Sequence, residues 1–286
     1  MTRSRIAALA AAVIFSTGGA AIKWTHLSGW QVAGFRSIVA AAALLALIPE
    51  IRRGWNWRMG VVGAAYSGTL ILFVIATKLT TAANAIFLQS TGPLYLFLIG
   101  PWLLKERPRP RDYVFMAALL AGLLACFVVQ DAPAGTAPDP VRGNVLGALC
   151  GVCWGFTIAG LRWIGTRSSE GDPALATVAA GNLIAFVVSL PQALPVVGAT
   201  ASDWATIAYL GVIQIGLAYW LLTRAVKRLP ALETSMLLLL EPALNPVWAW
   251  VAHGERPGVW TLAGGVLIIG ATALTLTTAP QRSDER

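Results

Sequence analysis

LLLLEPALNPVWAWVAHGERP, residues Leu237–Pro257, has a counterpart earlier in the chain: LQSTGPLYLFLIGPWLLKERP, residues Leu88–Pro108. Each is a long apolar run with a proline near its start and Glu-Arg-Pro at its end. A single offset of 149 superposes Pro93 on Pro242, Glu106 on Glu255, Arg107 on Arg256 and Pro108 on Pro257. Two copies of one segment in an apolar chain predict a duplicated membrane protein.

At 57% hydrophobic and 12% charged, with mean hydropathy +0.68, the chain is too apolar for a soluble domain, where about a quarter of residues are charged. The apolar residues fall into about ten runs of roughly 18–22 residues, the length at which a helix crosses a bilayer core. They lie at about 5–23, 30–49, 59–77, 83–103, 112–130, 143–163, 173–195, 203–223, 231–252 and 258–278. Little chain remains for a domain outside the lipid bilayer. The expected fold class is an all-α integral membrane protein of ten transmembrane helices. Residues 1–130 form a first five-helix repeat, 131–142 the inter-repeat loop, 143–278 the second repeat, and 279–286 a disordered cytoplasmic tail.

The net charge of +8 does not point to nucleic acid, because the basic residues occupy alternate loops rather than one patch. With a cytoplasmic N-terminus, sixteen of 21 lie inside: Arg3, Arg5, Arg52, Arg53, Arg58, Lys105, Arg107, Arg109, Arg111, Arg162, Arg167, Arg224, Lys227, Arg228, Arg282 and Arg286. Lys23, Lys78, Arg142 and Arg256 lie outside, and Arg36 lies within a span. This is the positive-inside asymmetry. It predicts a multi-pass chain with both termini in the cytoplasm and no nucleic-acid partner.

With five helices per half, an odd number, the repeats enter the membrane in opposite senses, which puts Glu106 inside and Glu255 outside. Inverted repeats of this kind are the plan of many secondary transporters, with substrate held near the midplane at the repeat interface. The N-terminal run is read as the first helix rather than a signal peptide, because it is echoed at Gly147–Trp163. There Phe15 matches Trp154, Lys23 matches Arg162 and Trp24 matches Trp163.

Polar residues buried in the spans are the candidate site. Arg36 lies about two turns into the second span, either facing a cavity or snorkelling to the interface. Tyr66 lies on the third span, and Asn84, Gln89, Thr91 and Tyr95 on the fourth. Asn84, Thr91 and Tyr95 recur at i, i+7 and i+11, the spacing of one helix face. The second half adds Trp154 and Thr157, Asn182, Gln214, and Asn245, which shares a face with Glu241 and Trp248. Trp154 lies in mid-span, away from the interfacial belt where Trp gathers. Glu241 is the one acid deep in a span, with two readings: a proton- or substrate-linked group, or a structural hydrogen-bonding group. Gly147, Gly151 and Gly155 form a ridge suited to close helix packing.

Cys150 and Cys153 form a C-x-x-C inside a span and are read as small packing residues rather than a redox or metal motif. His26 and His253 have no companions at metal spacing. No metal or cofactor is expected. No G-x-x-x-x-G-K-[ST] loop is present, so the chain carries no sign of ATP binding.

The paired five-helix halves, the Glu-Arg-Pro endings of the fourth and ninth helices and the arginine in the second resemble the EamA branch of the drug/metabolite transporter superfamily, over roughly residues 5–278. Within it the chain is similar to bacterial amino-acid exporters of the YddG type, which are linked to aromatic amino acids. The resemblance implies a basket of helices around a central cavity, with the fifth and tenth helices packed outside it. The small multidrug exporters of the superfamily place a coupling carboxylate in the middle of the first helix. Here that stretch reads Phe15-Ser16-Thr17-Gly18, and its repeat reads Trp154-Gly155-Phe156-Thr157, with no acid in either.

The expected function is therefore export of amino acids or related small-molecule metabolites by alternating access, by a monomer or weak homodimer and without enzymatic activity. A proton-driven efflux pump for cationic drugs is the alternative, and it would rest on an accessible deep acid. A lipid-modifying enzyme would need a charged or histidine-bearing constellation at one interface, which the sequence lacks. A scaffold would not explain polar faces in several spans.

Overall fold

The computed structural model describes residues 2–103, 135–165 and 172–256, with single positions at 113, 116, 117, 120 and 259. Apart from those single positions, the expected fifth span (112–130) and tenth span (258–278) lie outside the described residues. So do 104–111 with Glu106, Cys126, residues 131–134 of the inter-repeat loop, and the tail. The helices are α1 (Thr2–Ser16), α2 (Gly18–Trp24), α3 (Gly29–Leu47), α4 (Trp57–Leu79), α5 (Ala82–Gln89), α6 (Gly92–Leu103), α7 (Pro140–Gly165), α8 (Pro173–Ala193), α9 (Ala201–Tyr209), α10 (Ala218–Val226), α11 (Ala231–Leu238) and α12 (Leu240–His253). A π-helical segment, Leu210–Leu217, joins α9 to α10, and a 3-10 turn, Pro49–Arg52, follows α3. Grouped end to end, they make eight helical stretches long and apolar enough to cross a membrane, at the eight expected positions that fall on described residues.

Local chemistry sets where the helices start. Ser28 and Gln31 form a reciprocal capping box at α3, and Thr200 and Asp203 form another at α9. Asn56 accepts from the first N–H groups of α4, and Asp172 from Leu175 of α8. Each satisfies donors that a helix start leaves unpaired.

Four spans are interrupted rather than straight. Pro93 has no N–H to give the carbonyl of Gln89, and Pro242 none to give that of Leu238, four residues earlier in each case. α5 ends at Gln89 and α11 at Leu238. The turn residues between the half-helices, Ser90 and Leu239, hold φ/ψ of −68/0° and −66/−6°. The first span breaks at Ser16-Thr17, where the Thr17 hydroxyl donates to Ile14 O. The eighth is loosened by its π turn, a feature that concentrates at functional sites.

Two sets of contacts define the ends of the bundle. At one end Arg5 pairs with Glu233 at 2.8 Å, Lys227 with Asp172 at 3.0 Å, and Arg162 donates to Val226 O. At the other, Lys23 pairs with Glu255 at 2.7 Å and also donates to Thr80 O and Thr136 O. There too Lys78 donates to Thr25, and Asp203 accepts from the His26 backbone. Successive spans thus alternate in direction. Between the ends, α4 lies against α7 and α8, α3 against α8 and the π segment, and α1 against α10, α11 and α12. Small residues let backbones close up. A Cβ added at Gly151 would stand 2.7 Å from the Leu88 carbonyl.

Candidate functional site

The spans converge on a central cavity of about 30 Å3, lined by Phe15, Arg36, Thr69, Leu70, Phe73, Gln89, Trp154, Gln214, Ile215, Tyr219 and Glu241. Seven of the eight described spans contribute. The volume holds about one or two water molecules and is far short of any amino acid.

Tyr219 is the aromatic hub. Phe15 meets it edge-on at 4.9 Å between ring centroids, Tyr66 at 4.7 Å and Trp154 at 6.4 Å. Such edge-to-face contacts hold rings at defined angles. Phe15 and Trp154, residues matched in the sequence, thus both meet the one ring.

The polar groups take different roles. Arg36 is 2% exposed and Glu241 5%, so the second span carries its arginine to the cavity rather than snorkelling. Arg36 Nη2 donates to Leu70 O at 3.1 Å. Gln89 Oε1 faces the Cys150 thiol at 3.4 Å, and Cys150 is a buried free thiol. Gln214 Nε2 donates to the Phe15 carbonyl at 3.4 Å, so the π turn delivers an amide to the broken first span.

Of the residues expected from sequence, Gln89, Trp154, Gln214, Glu241 and Arg36 line the cavity. Tyr66, Asn182 and Thr157 stand behind its wall. Asn182 donates to the Tyr66 hydroxyl at 3.3 Å, and the Thr157 and Thr69 hydroxyls meet at 3.2 Å. Asn84, Thr91, Tyr95 and Asn245 are placed elsewhere. Asn84 sits in the first turn of α5, capped by Thr81. Thr91 turns back onto Leu88 O, and Tyr95 packs over Gly155. The expected shared face of Asn84, Thr91 and Tyr95 assumed a continuous helix, and the break at Ser90 interrupts it. Asn245 donates instead to the Ser16 carbonyl at 3.0 Å, beside Trp248, whose indole donates to Ser16 Oγ at 2.9 Å. Its amide replaces a bond the interrupted helix has lost.

Tyr219, Phe15, Thr69, Leu70, Phe73 and Ile215 complete the wall and were not expected in it. Phe15 carried a readable signal, since its repeat mate Trp154 stood out as a mid-span aromatic. The apolar members carried none, being typical of any membrane helix.

The EamA-like transporter family model matches the chain twice, over residues 3–128 and 141–277. The aromatic amino acid exporter YddG of Ancylobacter novellus is 26% identical over 253 residues, covering 86% of this chain and 85% of that protein. The threonine/homoserine exporter RhtA of Escherichia coli is 29% identical over 221 residues, covering 75% and 70%. The pseudopaline exporter CntI of Pseudomonas aeruginosa is 26% identical over 274 residues, covering 92% of each. A crystal structure covering the whole of both chains superposes with a TM-score of 0.72 at 22% identity, a likeness of fold alone. The chain is a multi-pass membrane transporter, not an enzyme, and it belongs to the EamA-like transporter family.

Proposed function

We propose that the protein exports amino acids, aromatic or other neutral ones, and related small metabolites across the bacterial inner membrane by alternating access. The observation that carries this reading is the central cavity. It joins residues of both halves, combines an aromatic wall with a few polar groups, and is too small for substrate as it stands. A site built this way offers an apolar pocket with polar groups fixing orientation, and it has to open to either side to be used.

The halves act as inverted repeats, residues 1–130 and 143–278, with both termini cytoplasmic. In support, inter-helix contacts come in exchanged pairs. Third-span α4 on sixth-span α7 is matched by α1 on the eighth-span α10, and α4 on α8 by the π segment on α3. The end carrying Arg5, Arg162 and Lys227 is the cytoplasmic one by the positive-inside rule. Single cysteines at Arg58 and Asp139, in a chain cleared of its own cysteines, place the ends. Labelling of Arg58→Cys from outside intact cells would reverse the orientation.

The deciding experiment is transport by purified protein in proteoliposomes, with a panel of amino acids and with and without a pH gradient. Uptake of at least one amino acid is expected. The second reading, proton-driven efflux of organic cations, is favoured by one observation: Glu241 lines the cavity. Dye transport that needs a pH gradient and vanishes in Glu241→Gln, with no amino acid carried, would establish it in place of the first.

A further inference from the structure

Among the described residues, the cavity holds one buried basic side chain, Arg36, and one buried acidic one, Glu241, and the two do not pair. Among the described residues, Arg36 makes a single hydrogen bond, to Leu70 O, and its Nε has no partner. Among the described residues, no ion pair involves Arg36 or Glu241, and nothing hydrogen-bonds the Glu241 carboxylate. Both are at least nine-tenths buried and both line the same space. Ion pairs elsewhere in the bundle close at 2.7–3.0 Å, so the chain forms such bonds where it has no use for the separated charges. An ionisable group without a partner at membrane depth is costly to keep, and such a residue is by default a functional hypothesis.

We propose that Arg36 and Glu241 are the two poles of a zwitterion site, with the guanidinium receiving the substrate's α-carboxylate and the Glu241 carboxylate its α-ammonium. The proposal rests on the amino-acid reading above and deepens it. An α-amino acid brings both missing counter-charges on one carbon atom. Charge-assisted hydrogen bonds of this kind are the strong ones, and a guanidinium matches a carboxylate with two parallel donors. The side chain of the substrate is then left facing Trp154, Phe15 and Tyr219. Arg36 stands on α3 of the first half and Glu241 on α12 of the second. One bound molecule therefore ties the two halves across the cavity. Specificity resides in the backbone of the substrate rather than its side chain, which suits relatives named for aromatic and for hydroxylated amino acids alike.

The test uses full-length protein in proteoliposomes with L-phenylalanine and L-threonine, and with three derivatives: phenylalanine methyl ester, N-acetyl-phenylalanine and 2-phenylethylamine. Wild-type protein is expected to carry the parent acids and to reject the derivatives by roughly 10- to 100-fold, the value of one lost charged hydrogen bond. Arg36→Gln should weaken the parents and lose discrimination against the ester and the amine. Glu241→Gln should weaken the parents and lose discrimination against the N-acetyl form. Thermal-shift titration of wild-type protein with the same compounds needs no variant to fold and should give the same order. Derivatives carried or bound as well as L-phenylalanine would overturn the zwitterion site while leaving amino-acid export intact. Parent affinities unchanged in both folded variants would do the same. If neither parent acid is carried or bound, the functional reading itself falls and this site with it.

Discussion

Ser90 and Leu239, 149 positions apart, hold the same backbone conformation within 6° and mark the same break in two membrane helices. Pro93 and Pro242, three residues after each, cause the break by withholding an N–H. Alanine at either site restores that donor, toward Gln89 O or Leu238 O. The thermal midpoint of Pro93→Ala or Pro242→Ala should stay level or rise, within the roughly 3 kcal/mol that separates proline from alanine in a helix. Uptake should fall severalfold, because a straightened half-helix no longer hinges beside the cavity. Wild-type uptake in both variants would take the breaks out of the transport cycle.

The Lys23–Glu255 pair ties the first span to the end of the ninth, with side chains only 5% and 8% exposed. Glu255 also accepts from the Ala82 N–H at the head of α5. Removing one member leaves a buried charge unpaired, at a cost of about 3–5 kcal/mol, while removing both costs much less. Lys23→Met and Glu255→Gln should each lower the thermal midpoint clearly, and the double variant should recover most of the loss. A double-mutant cycle in detergent measures the coupling. Additive losses would mean the pair contributes no coupling.

The eight spans were legible at positions 5–103 and 143–252 because length and hydropathy alone dictate them. The cavity was half legible. Gln89, Trp154, Gln214, Glu241 and Arg36 were visible as polar or aromatic residues at mid-depth, where such groups are costly. Tyr95 and Thr91 lie off this cavity because i, i+7, i+11 spacing presumes an unbroken helix, and the Pro93 that breaks it sits between them. Ser16-Thr17-Gly18-Gly19 contains no proline; its two hydroxyls turn back onto Val13 O and Ile14 O beside a glycine pair, and tertiary partners complete the break. Asn245 and Gln214, some 200 residues away, supply the bonds. Local sequence does not name those partners.

Asn245 is accordingly expected to act in the scaffold. Its amide serves the Ser16 carbonyl and lies against Gly19, where an added Cβ would stand 2.7 Å from it. Asn245→Ala orphans a buried carbonyl and should cost about 1–3 kcal/mol of stability. The KM of the protein that remains folded should be unchanged. Gly19→Ala should produce a similar loss by pushing the amide away. Thermal scanning beside uptake kinetics separates the two effects. A rise in KM with unchanged stability would move Asn245 back into the substrate site.

Trp154 makes the opposite prediction. It is 5% exposed, lines the cavity and meets Tyr219 edge-on. Alanine there removes ring surface worth about 3–5 kcal/mol in a packed core. Next to an existing void, part of that cost is already relaxed, and the enlarged cavity fills with water or substrate. If the aromatic wall holds the substrate side chain, Trp154→Ala should penalise transport of phenylalanine by about tenfold, the scale of one lost aromatic contact of roughly 1.5 kcal/mol. Threonine, which offers no ring to stack, should lose far less. Phe15→Ala, at the other cavity-lining ring that meets Tyr219, should shift the same ratio in the same direction. Competition between the two amino acids in one vesicle preparation reads that ratio directly and cancels differences in protein yield. A ratio that stays at the wild-type value in both variants would confine the aromatic cluster to packing and leave the side chain of the substrate to another surface of the opened cavity.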